Sequence, residues 1–326
     1  FSSLFIAANE GHLDVCKGLV AKGADVNRAQ ENGRSPWLEA CMEGHLDIVK
    51  FFVDIGQDIE VTGSIGLTAL IVASNKGNAN VVRFLLSKGA RVDRTTDNGC
   101  SPLFLAASAG HLDVCKELVA NGADANQVTA NNFSPWLEAC MEGHLDIIKF
   151  FVDNGQNIEV AASSNGFTAL MFASFVGKLN VVHFLLSKGA RTDRTSASGG
   201  SPLLIAVCQG HLDVCKELVA NGADVNHESA DGSPWLEACK QGHLDIVEFF
   251  VENGQNINAT DRDGVTALIV ASLKGKTNVV CFLLSKDART DRTIDEGITA
   301  LHVAVAHGHV DIVALLTLHA LDSAIN

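Results

Sequence analysis

The sequence predicts an all-α fold, a solenoid of about ten stacked helix-pair repeats with short hairpin or loop fingers. One observation is a glycine that recurs ten times at intervals of 32 to 34 residues, most often as Gly-His. A second is that each interval holds two short apolar segments with helical spacing. A third is size, because a unit of about 33 residues cannot bury a core alone and needs its neighbours. The ten glycines are Gly11, Gly44, Gly77, Gly110, Gly143, Gly177, Gly210, Gly242, Gly275 and Gly308.

The first helix of each repeat is predicted to begin at a Ser/Thr-Pro or Thr-Ala step. In the fourth repeat, Ser101 and Pro102 precede the apolar run Leu-Phe-Leu-Ala-Ala. Proline is favourable at a helix start, where its missing N–H group would lack a partner in any case. The recurring glycine, Gly110 in this repeat, then marks the turn between the two helices.

The second helix follows the Gly-His turn. In the fourth repeat, Leu112, Cys115, Leu118 and Val119 fall on one face at helical spacing. Gly122 then ends the helix, because glycine tolerates the left-handed conformation of a helix cap. A polar stretch leads on to the next repeat, so each unit is predicted to be two short antiparallel helices and a loop.

These features resemble the ankyrin repeat family across nearly all of the 326 residues. The resemblance rests on the Gly-His turn, the paired leucines of the second helix, Gly-Ala-Asp-Val-Asn at 23–27 and 222–226, and Thr-Ala-Leu-His-Val-Ala at 299–304. The opening His of the family occurs only as His302, so we expect apolar packing to replace its hydrogen bonds elsewhere. The resemblance implies a protein that binds a partner on its concave face and loop tips.

We interpret residues 1–326 as a single array whose repeats span roughly 1–30, 31–63, 64–96, 97–129, 130–162, 163–196, 197–229, 230–260, 261–293 and 294–326. The repeats cycle through three types, marked by Gly-His-Leu-Asp-Val-Cys-Lys, by Ser-Pro-Trp-Leu-Glu-Ala-Cys and by Asn-Val-Val-x-Phe-Leu-Leu-Ser-Lys. Tandem duplication of a three-repeat block explains this cycle. The alternative is a ladder of equivalent contacts that a partner with its own repeats could read.

Composition restricts the class of function. The formal net charge is −14, which repels phosphate backbones and argues against a nucleic-acid partner. No apolar run approaches the roughly 18–20 residues that an integral membrane segment needs. The nine cysteines contain no C-x-x-C pair, so we expect reduced thiols in an intracellular protein, cytoplasmic or nuclear. We also expect no metal, no cofactor and no catalysis, while the oligomeric state is left open.

Three periodic sets of residues allow two interpretations each. Trp37, Trp136 and Trp235 are interpreted as core residues, with exposed anchors as the alternative. The following glutamates are interpreted as a solvated helix edge, with an acidic stripe for a partner as the alternative. The His and Cys pairs spaced four residues apart are interpreted as a turn histidine beside an inert buried thiol, although such a pair could in principle activate a thiol. The latter two sets are Glu39, Glu138 and Glu237, and His12–Cys16, His111–Cys115 and His211–Cys215.

Large apolar residues in the fifth and sixth repeats predict a partner-binding hot spot. Positions that are small or polar in other repeats hold Phe133, Met141, Phe167, Phe175 and Val176. Clustered exposed apolar side chains mark interaction surfaces, and aromatic anchors dominate binding energy. The alternative is that these side chains pack sideways on neighbouring repeats.

The loops of the third repeat type carry arginines that offer further docking points. Arg94, Arg194 and Arg292 each follow an Arg-x-Asp motif, and arginine binds carboxylates in a bidentate manner. The alternative is local pairing of arginine with aspartate inside the loop. Resemblance to the family also implies that a loop asparagine eight residues after a leucine can be hydroxylated by an oxygenase. The positions that match this context are Asn27, Asn126 and Asn226.

The sequence therefore predicts a non-catalytic scaffold that binds another protein. The alternative is that the array is the targeting or substrate-recruiting arm of a larger multidomain protein, such as a kinase or a ubiquitin ligase.

Overall fold

The computed structural model describes residues 2–31, 33–229, 232–294 and 297–325, and for 322–325 the backbone alone. The described chain is built from helices, with isolated β-bridges in loops in place of strands. It forms two compact units, 1–164 and 165–326, and each unit contains ten helices in five pairs. The predicted helical repeat fold is therefore confirmed, whereas the interpretation of 1–326 as one array stays a prediction.

The helices of the first unit are α1 (Ser3–Asn9), α2 (Leu13–Ala21), α3 (Pro36–Glu43), α4 (Leu46–Asp54), α5 (Ala69–Lys76), α6 (Ala79–Ser87), α7 (Pro102–Ser108), α8 (Leu112–Ala120), α9 (Pro135–Glu142) and α10 (Leu145–Asp153), with a 3₁₀ turn at Ser64–Gly66. Those of the second unit are α11 (Ala169–Val176), α12 (Leu179–Ser187), α13 (Pro202–Gln209), α14 (Leu212–Ala220), α15 (Pro234–Gln241), α16 (Leu244–Glu252), α17 (Ala267–Leu273), α18 (Thr277–Ser285), α19 (Ala300–Ala306) and α20 (Val310–Ile325).

Two layers of helices make up each unit. The odd-numbered helices, which we call the first helices, pack against the first helices of adjacent repeats. The even-numbered second helices pack on their own first helix and on the second helices next to them. Each repeat thus buries its neighbours, as a unit too small for its own core requires.

The starts of the first helices follow the sequence signals. In α7, the Ser101 hydroxyl accepts a hydrogen bond of 3.1 Å from the backbone N–H of Phe104, and Pro102 occupies the first turn. A side-chain cap of this kind satisfies one of the backbone donors that a helix start leaves without a partner. The same cap recurs at the starts of α3, α9, α13 and α15, each with Ser followed by Pro.

The Gly-His turn joins consecutive repeats. Nε2 of His144 donates a hydrogen bond of 2.9 Å to the backbone carbonyl of Ser108, the last residue of α7 in the preceding repeat. Gly110 makes room for this ring, because a Cβ atom at Gly110 would lie 2.8 Å from Cε1 of His144. Its φ of +78° is also a conformation that side chains disfavour. The dipeptide is therefore required by packing and by the capping of a neighbour.

The core confirms the interpretation of the tryptophans. All three are buried, and the ring of Trp136 meets that of Phe151 edge-on at 6.5 Å. The second helix differs from expectation in detail, since α8 buries Val114, Cys115 and Leu118 and leaves Leu112 and Val119 half-buried. Helix α8 packs on α7, α6 and α10, so its buried face is the one that meets these three helices.

Apolar packing replaces the family's opening histidine in most repeats. Leu38, Ile71 and Leu137 are buried at that position. In the last repeat, Nδ1 of His302 accepts a hydrogen bond of 3.1 Å from the backbone N–H of Thr299. Both solutions fix the start of the first helix.

Candidate partner-binding surface

The glutamates of the Trp-Leu-Glu helices are buried, which contradicts their interpretation as a solvated edge or an open acidic stripe. The exposed fractions are 2% for Glu39, 9% for Glu138 and 5% for Glu237. Each glutamate lies in the first turn of a first helix, against the first helix of a neighbouring repeat. A carboxylate in such a position needs a partner, because burial disfavours its charged form.

The three carboxylates have different partners. Nη1 of Arg34 lies 3.2 Å from Oε2 of Glu39. In the eighth repeat, Nζ of Lys240 lies 2.8 Å from Oε2 of Glu237. The corresponding contact of Glu138 is a hydrogen bond of 2.9 Å from the Ser108 hydroxyl to Oε1. Two copies thus carry a cation from the chain, and the third carries a neutral hydroxyl.

Burial is the main influence on the pKa values of Glu39 and Glu138. Burial raises the pKa of Glu39, and Arg34 partly opposes this effect. Burial also raises the pKa of Glu138, where the Ser108 hydrogen bond acts in the opposite direction. The acidic Glu142 adds to the rise at Glu138, and His144 lowers it.

A groove of about 510 Å³ lies on the face of the second unit that carries first helices and loops. Phe167 and Phe175 line it, as do apolar residues of α13 and two polar residues of α15. The Phe175 side chain is 46% exposed, which is large for an aromatic residue. The residues of α13 and α15 in its wall are Leu204, Ile205, Cys208, Gln209, Glu237 and Lys240.

The predicted hot-spot residues are distributed over both units. Phe167 and Phe175 share the groove, and Val176 is exposed nearby in the chain at 38%. Phe167 also packs on Phe172 of its own repeat with a centroid distance of 5.2 Å, whereas the alternative interpretation placed these side chains against neighbouring repeats. Phe133 and Met141 belong to the first unit and are half-buried. The hot spot itself stays a prediction.

The arginine loops contain local ion pairs. Arg91 binds Asp93 in a bidentate manner at 3.0 and 2.8 Å, and Arg289 binds Asp291 in the same way. Arg94 lies 3.3 Å from Glu60 and is half-buried, whereas Arg194 and Arg292 are exposed. The structure therefore favours the local-pairing alternative for the first arginine of each loop, and docking at Arg94, Arg194 and Arg292 stays a prediction.

The predicted hydroxylation sites lie in exposed loops and take part in amide pairs. The side chain of Asn27 donates to and accepts from Gln57, with both distances 2.9 Å. The same reciprocal pair recurs about every hundred residues, as Asn126–Gln156 and Asn226–Gln255, with its two members about thirty residues apart. Modification of these asparagines stays a prediction, and it would act on a contact between adjacent repeats.

The cysteines of the His–Cys pairs are buried, as predicted. Burial raises the pKa of Cys16 to about 11 and that of Cys115 and Cys215 to about 12. A thiol held protonated in this way is a poor nucleophile. Among the described residues, no three or more His, Cys, Asp or Glu side chains are grouped as metal ligands. No helix in the described ranges has the length and apolar character that crossing a bilayer requires.

Several residues of this surface were missed by the sequence analysis. The groove wall formed by Leu204 and Ile205 was missed, although α13 is visibly more apolar than α7, the equivalent helix of the first unit. The glutamine partners of the loop asparagines were also missed, although their constant spacing would have revealed them. Lys240 was also missed as the partner of Glu237, because the burial of that glutamate was not foreseen.

Comparison with known proteins agrees with the repeat pattern. A family model described as ankyrin repeats (3 copies) matches the overlapping stretches 4–96, 40–129, 103–196, 136–229 and 235–326. The chain is 40% identical over 63 residues to the ankyrin repeat and KH domain-containing protein mask-1 of Caenorhabditis elegans. It is 38% identical over 63 residues to the ankyrin repeat and KH domain-containing protein mask of Drosophila melanogaster. Each match covers 19% of this chain and 2% of the relative.

Proposed function

The chain belongs to the ankyrin repeat family, and from this premise we propose that it is a non-catalytic scaffold that binds a partner protein through its first helices and loop tips. Ankyrin repeats are in general modules for protein–protein interaction. The observation that carries the proposal is the groove lined by Phe167, Phe175, Leu204 and Ile205. A concave apolar surface with a half-exposed aromatic residue is the kind of site where partners place their anchors.

The test is affinity capture with the full chain and with two variants. Phe175→Ala removes the exposed ring from the groove. Val15→Ala is the matched control, because Val15 is an equally exposed apolar residue on the second helix α2. We expect one or more proteins to bind the wild type and Val15→Ala, and to bind Phe175→Ala at least about tenfold more weakly in a direct titration. The melting temperatures of all three proteins should be the same.

Two results would contradict this proposal. One is a partner that binds wild type and Phe175→Ala equally. The other is a loss of binding that accompanies a lower melting temperature, because Phe175 would then be a packing residue.

The alternative function is a targeting arm of a larger multidomain protein, such as a kinase or a ubiquitin ligase. It is favoured by the size of the relatives, since the matched segment spans 2% of their length. Sequencing the complete gene tests this, because the alternative requires a catalytic domain in the same open reading frame. An intracellular location is proposed on the basis of nine free cysteines, six of them buried.

A further inference from the structure

Three equivalent helices in this chain each bury a glutamate carboxylate. Two of the carboxylates are paired with a cation of the chain, and the third is paired with a hydroxyl group. Helices α3, α9 and α15 each carry a glutamate in the first turn that the fold buries. Arg34 stands opposite Glu39, and Lys240 opposite Glu237. At Glu138, no cation of the described chain lies within ion-pair distance, and the Ser108 hydroxyl is the contact.

The second repeat shows where a cation sits when the chain supplies one. Arg34 comes directly before the capping serine of α3 and lies back over the helix, so that Nη1 contacts both the Glu39 carboxylate and the sulfur of Met42. The side chain of Arg34 remains 31% exposed, so the cation approaches the carboxylate from the surface. A surface route to this carboxylate therefore exists in the fold.

The fifth repeat keeps the helix and changes the residue before it. Helix α9 has the same eight residues as α3, Pro-Trp-Leu-Glu-Ala-Cys-Met-Glu, but Phe133 stands where Arg34 stands in the second repeat. Glu138 is correspondingly more exposed than Glu39, 9% against 2%. An aromatic side chain replaces the covering cation, and a small part of Glu138 is reachable from solvent.

We propose that the carboxylate of Glu138 binds a lysine or arginine side chain of the partner protein, in the place that Arg34 takes at Glu39. This inference rests on the proposed function, and it adds the chemistry of the partner. In the second repeat Arg34 contacts the sulfur of Met42, and Met141 holds the same position in α9. The aliphatic stem of the partner's side chain therefore packs on Met141 and on Phe133, which holds the position of Arg34.

The physical reasons are charge and surroundings. A buried carboxylate without a cation is costly, so a cation brought by a partner recovers free energy that the isolated chain lacks. An aromatic face attracts a cation, and a methionine sulfur adapts to a flexible aliphatic stem. Glu142 lies on the same helix, adds negative charge at the site and has no counterpart in the eighth repeat, where Gln241 takes its place.

The experiment uses a fluorescent pool of short peptides with a fixed central arginine and random neutral flanks. A second pool carries citrulline at the centre, which has the shape of arginine without its charge. Both are titrated into the full chain at physiological ionic strength, so that the general attraction of an acidic protein for cations is screened. We expect the arginine pool to bind at least about tenfold more tightly than the citrulline pool.

Phe133→Arg is the decisive variant, because it supplies in the fifth repeat the cation that the second repeat already contains. The wild-type second repeat is evidence that the fold accepts arginine there. We expect Phe133→Arg to lose the preference for the arginine pool. Val15→Arg is the control for net charge, since it adds the same charge at an exposed residue of α2, and it should behave as the wild type does.

Arg34→Phe tests the reverse change. It removes the cation that covers Glu39 and leaves the positive charge of Lys76 nearby, and we expect the number of arginine peptides bound per chain to increase. Equal binding of the two pools, binding that Phe133→Arg leaves unchanged, or an equal loss in Val15→Arg would each overturn the inference. If the partner captured by the wild type still depends on Phe175 in any of these cases, the proposed scaffold function stands and only the basic-residue site is wrong.

Discussion

Helices α3 and α9 have identical sequences and different surroundings. Their tryptophans meet a phenylalanine of the following helix at the same distance, 6.5 Å, and with angles of 65° and 69°. Their glutamates, in contrast, are held by an arginine in one repeat and by a serine in the other. The helix sequence thus sets the packing, whereas the electrostatic state of its carboxylate depends on residues outside the helix.

The largest expected loss of stability comes from truncating the tryptophan, and it should be equal in the second and fifth repeats. Trp37→Ala and Trp136→Ala each remove a fully buried indole from the same packing arrangement. We expect each to lower the free energy of unfolding by about 3–5 kcal/mol. Urea unfolding followed by circular dichroism measures it. A difference between the two variants that exceeds the error would break the assumption that the two helices pack alike.

A smaller pair of equal effects is expected at the turns. Gly11→Ala and Gly110→Ala place a methyl group against the rings of His45 and His144, at 2.7 and 2.8 Å, in a backbone conformation with positive φ. We expect a loss of about 2 kcal/mol or more for each. Gly122→Ala is the control, because its φ is also positive but the space around it is open. If all three cost the same in thermal unfolding, contact with the histidine contributes nothing.

The two glutamates should respond differently. Both have raised pKa values in the folded chain. Such a group favours folding below its unfolded-state pKa, and this contribution is lost as the pH rises through the folded-state pKa. Glu138→Gln should therefore stabilise the chain at pH 7, by up to about 1 kcal/mol, and have no effect near pH 3.

Glu39→Gln should also stabilise the folded chain at pH 7, but by less, because Arg34 already offsets part of the free-energy cost of burying the Glu39 carboxylate. Melting temperatures across this pH range compare the two variants. An equal gain at both positions would show that Arg34 does not stabilise the Glu39 carboxylate.

The smallest difference concerns the amide pairs that follow the two helices. Gln57 is buried and Gln156 is half-buried, and each exchanges two hydrogen bonds with an asparagine of the preceding repeat. We expect Gln57→Ala to cost about 1 kcal/mol and Gln156→Ala roughly half of that, since solvent competes for the more exposed pair. Denaturant titration with several replicates resolves this difference. The reverse order would mean that exposure does not set the strength of these pairs.

The fold could be predicted from the sequence because its signals are local. Ser101 and Pro102 indicate where a helix begins, and Gly110 and His111 indicate where the chain turns. These signals do not depend on the adjacent repeats. The fate of Glu39, Glu138 and Glu237 could not be predicted in the same way. Nothing in the helix sequence distinguishes these glutamates from solvent-exposed residues. They are buried because the first helix of an adjacent repeat covers them.

Only part of the candidate site could be predicted, because some of its features are local in the sequence and others depend on distant residues. Phe133 and Phe175 stand out in the sequence because large apolar residues replace polar ones. The environment of Phe175 depends on residues farther along the chain, such as Leu204 and Ile205 in the wall of the same groove. The sequence shows that Phe133 occupies in the fifth repeat the position that Arg34 occupies in the second. The effect of this difference on Glu138 becomes evident only when the burial of Glu138 is known.

The hydrogen bond from the turn histidine always runs from a later repeat to the first helix of the repeat before it, so the two ends of a unit differ. Nε2 of His309 donates to the carbonyl of Leu273, the last residue of α17, so a later repeat completes an earlier one. Removing a repeat from either end uncovers an apolar face of its neighbour. Removal from the carboxyl end in addition leaves a helix terminus without its histidine donor, whereas removal from the amino end frees a histidine that water can satisfy. The two ends of such a stack are therefore unequal places at which to add, remove or exchange repeats.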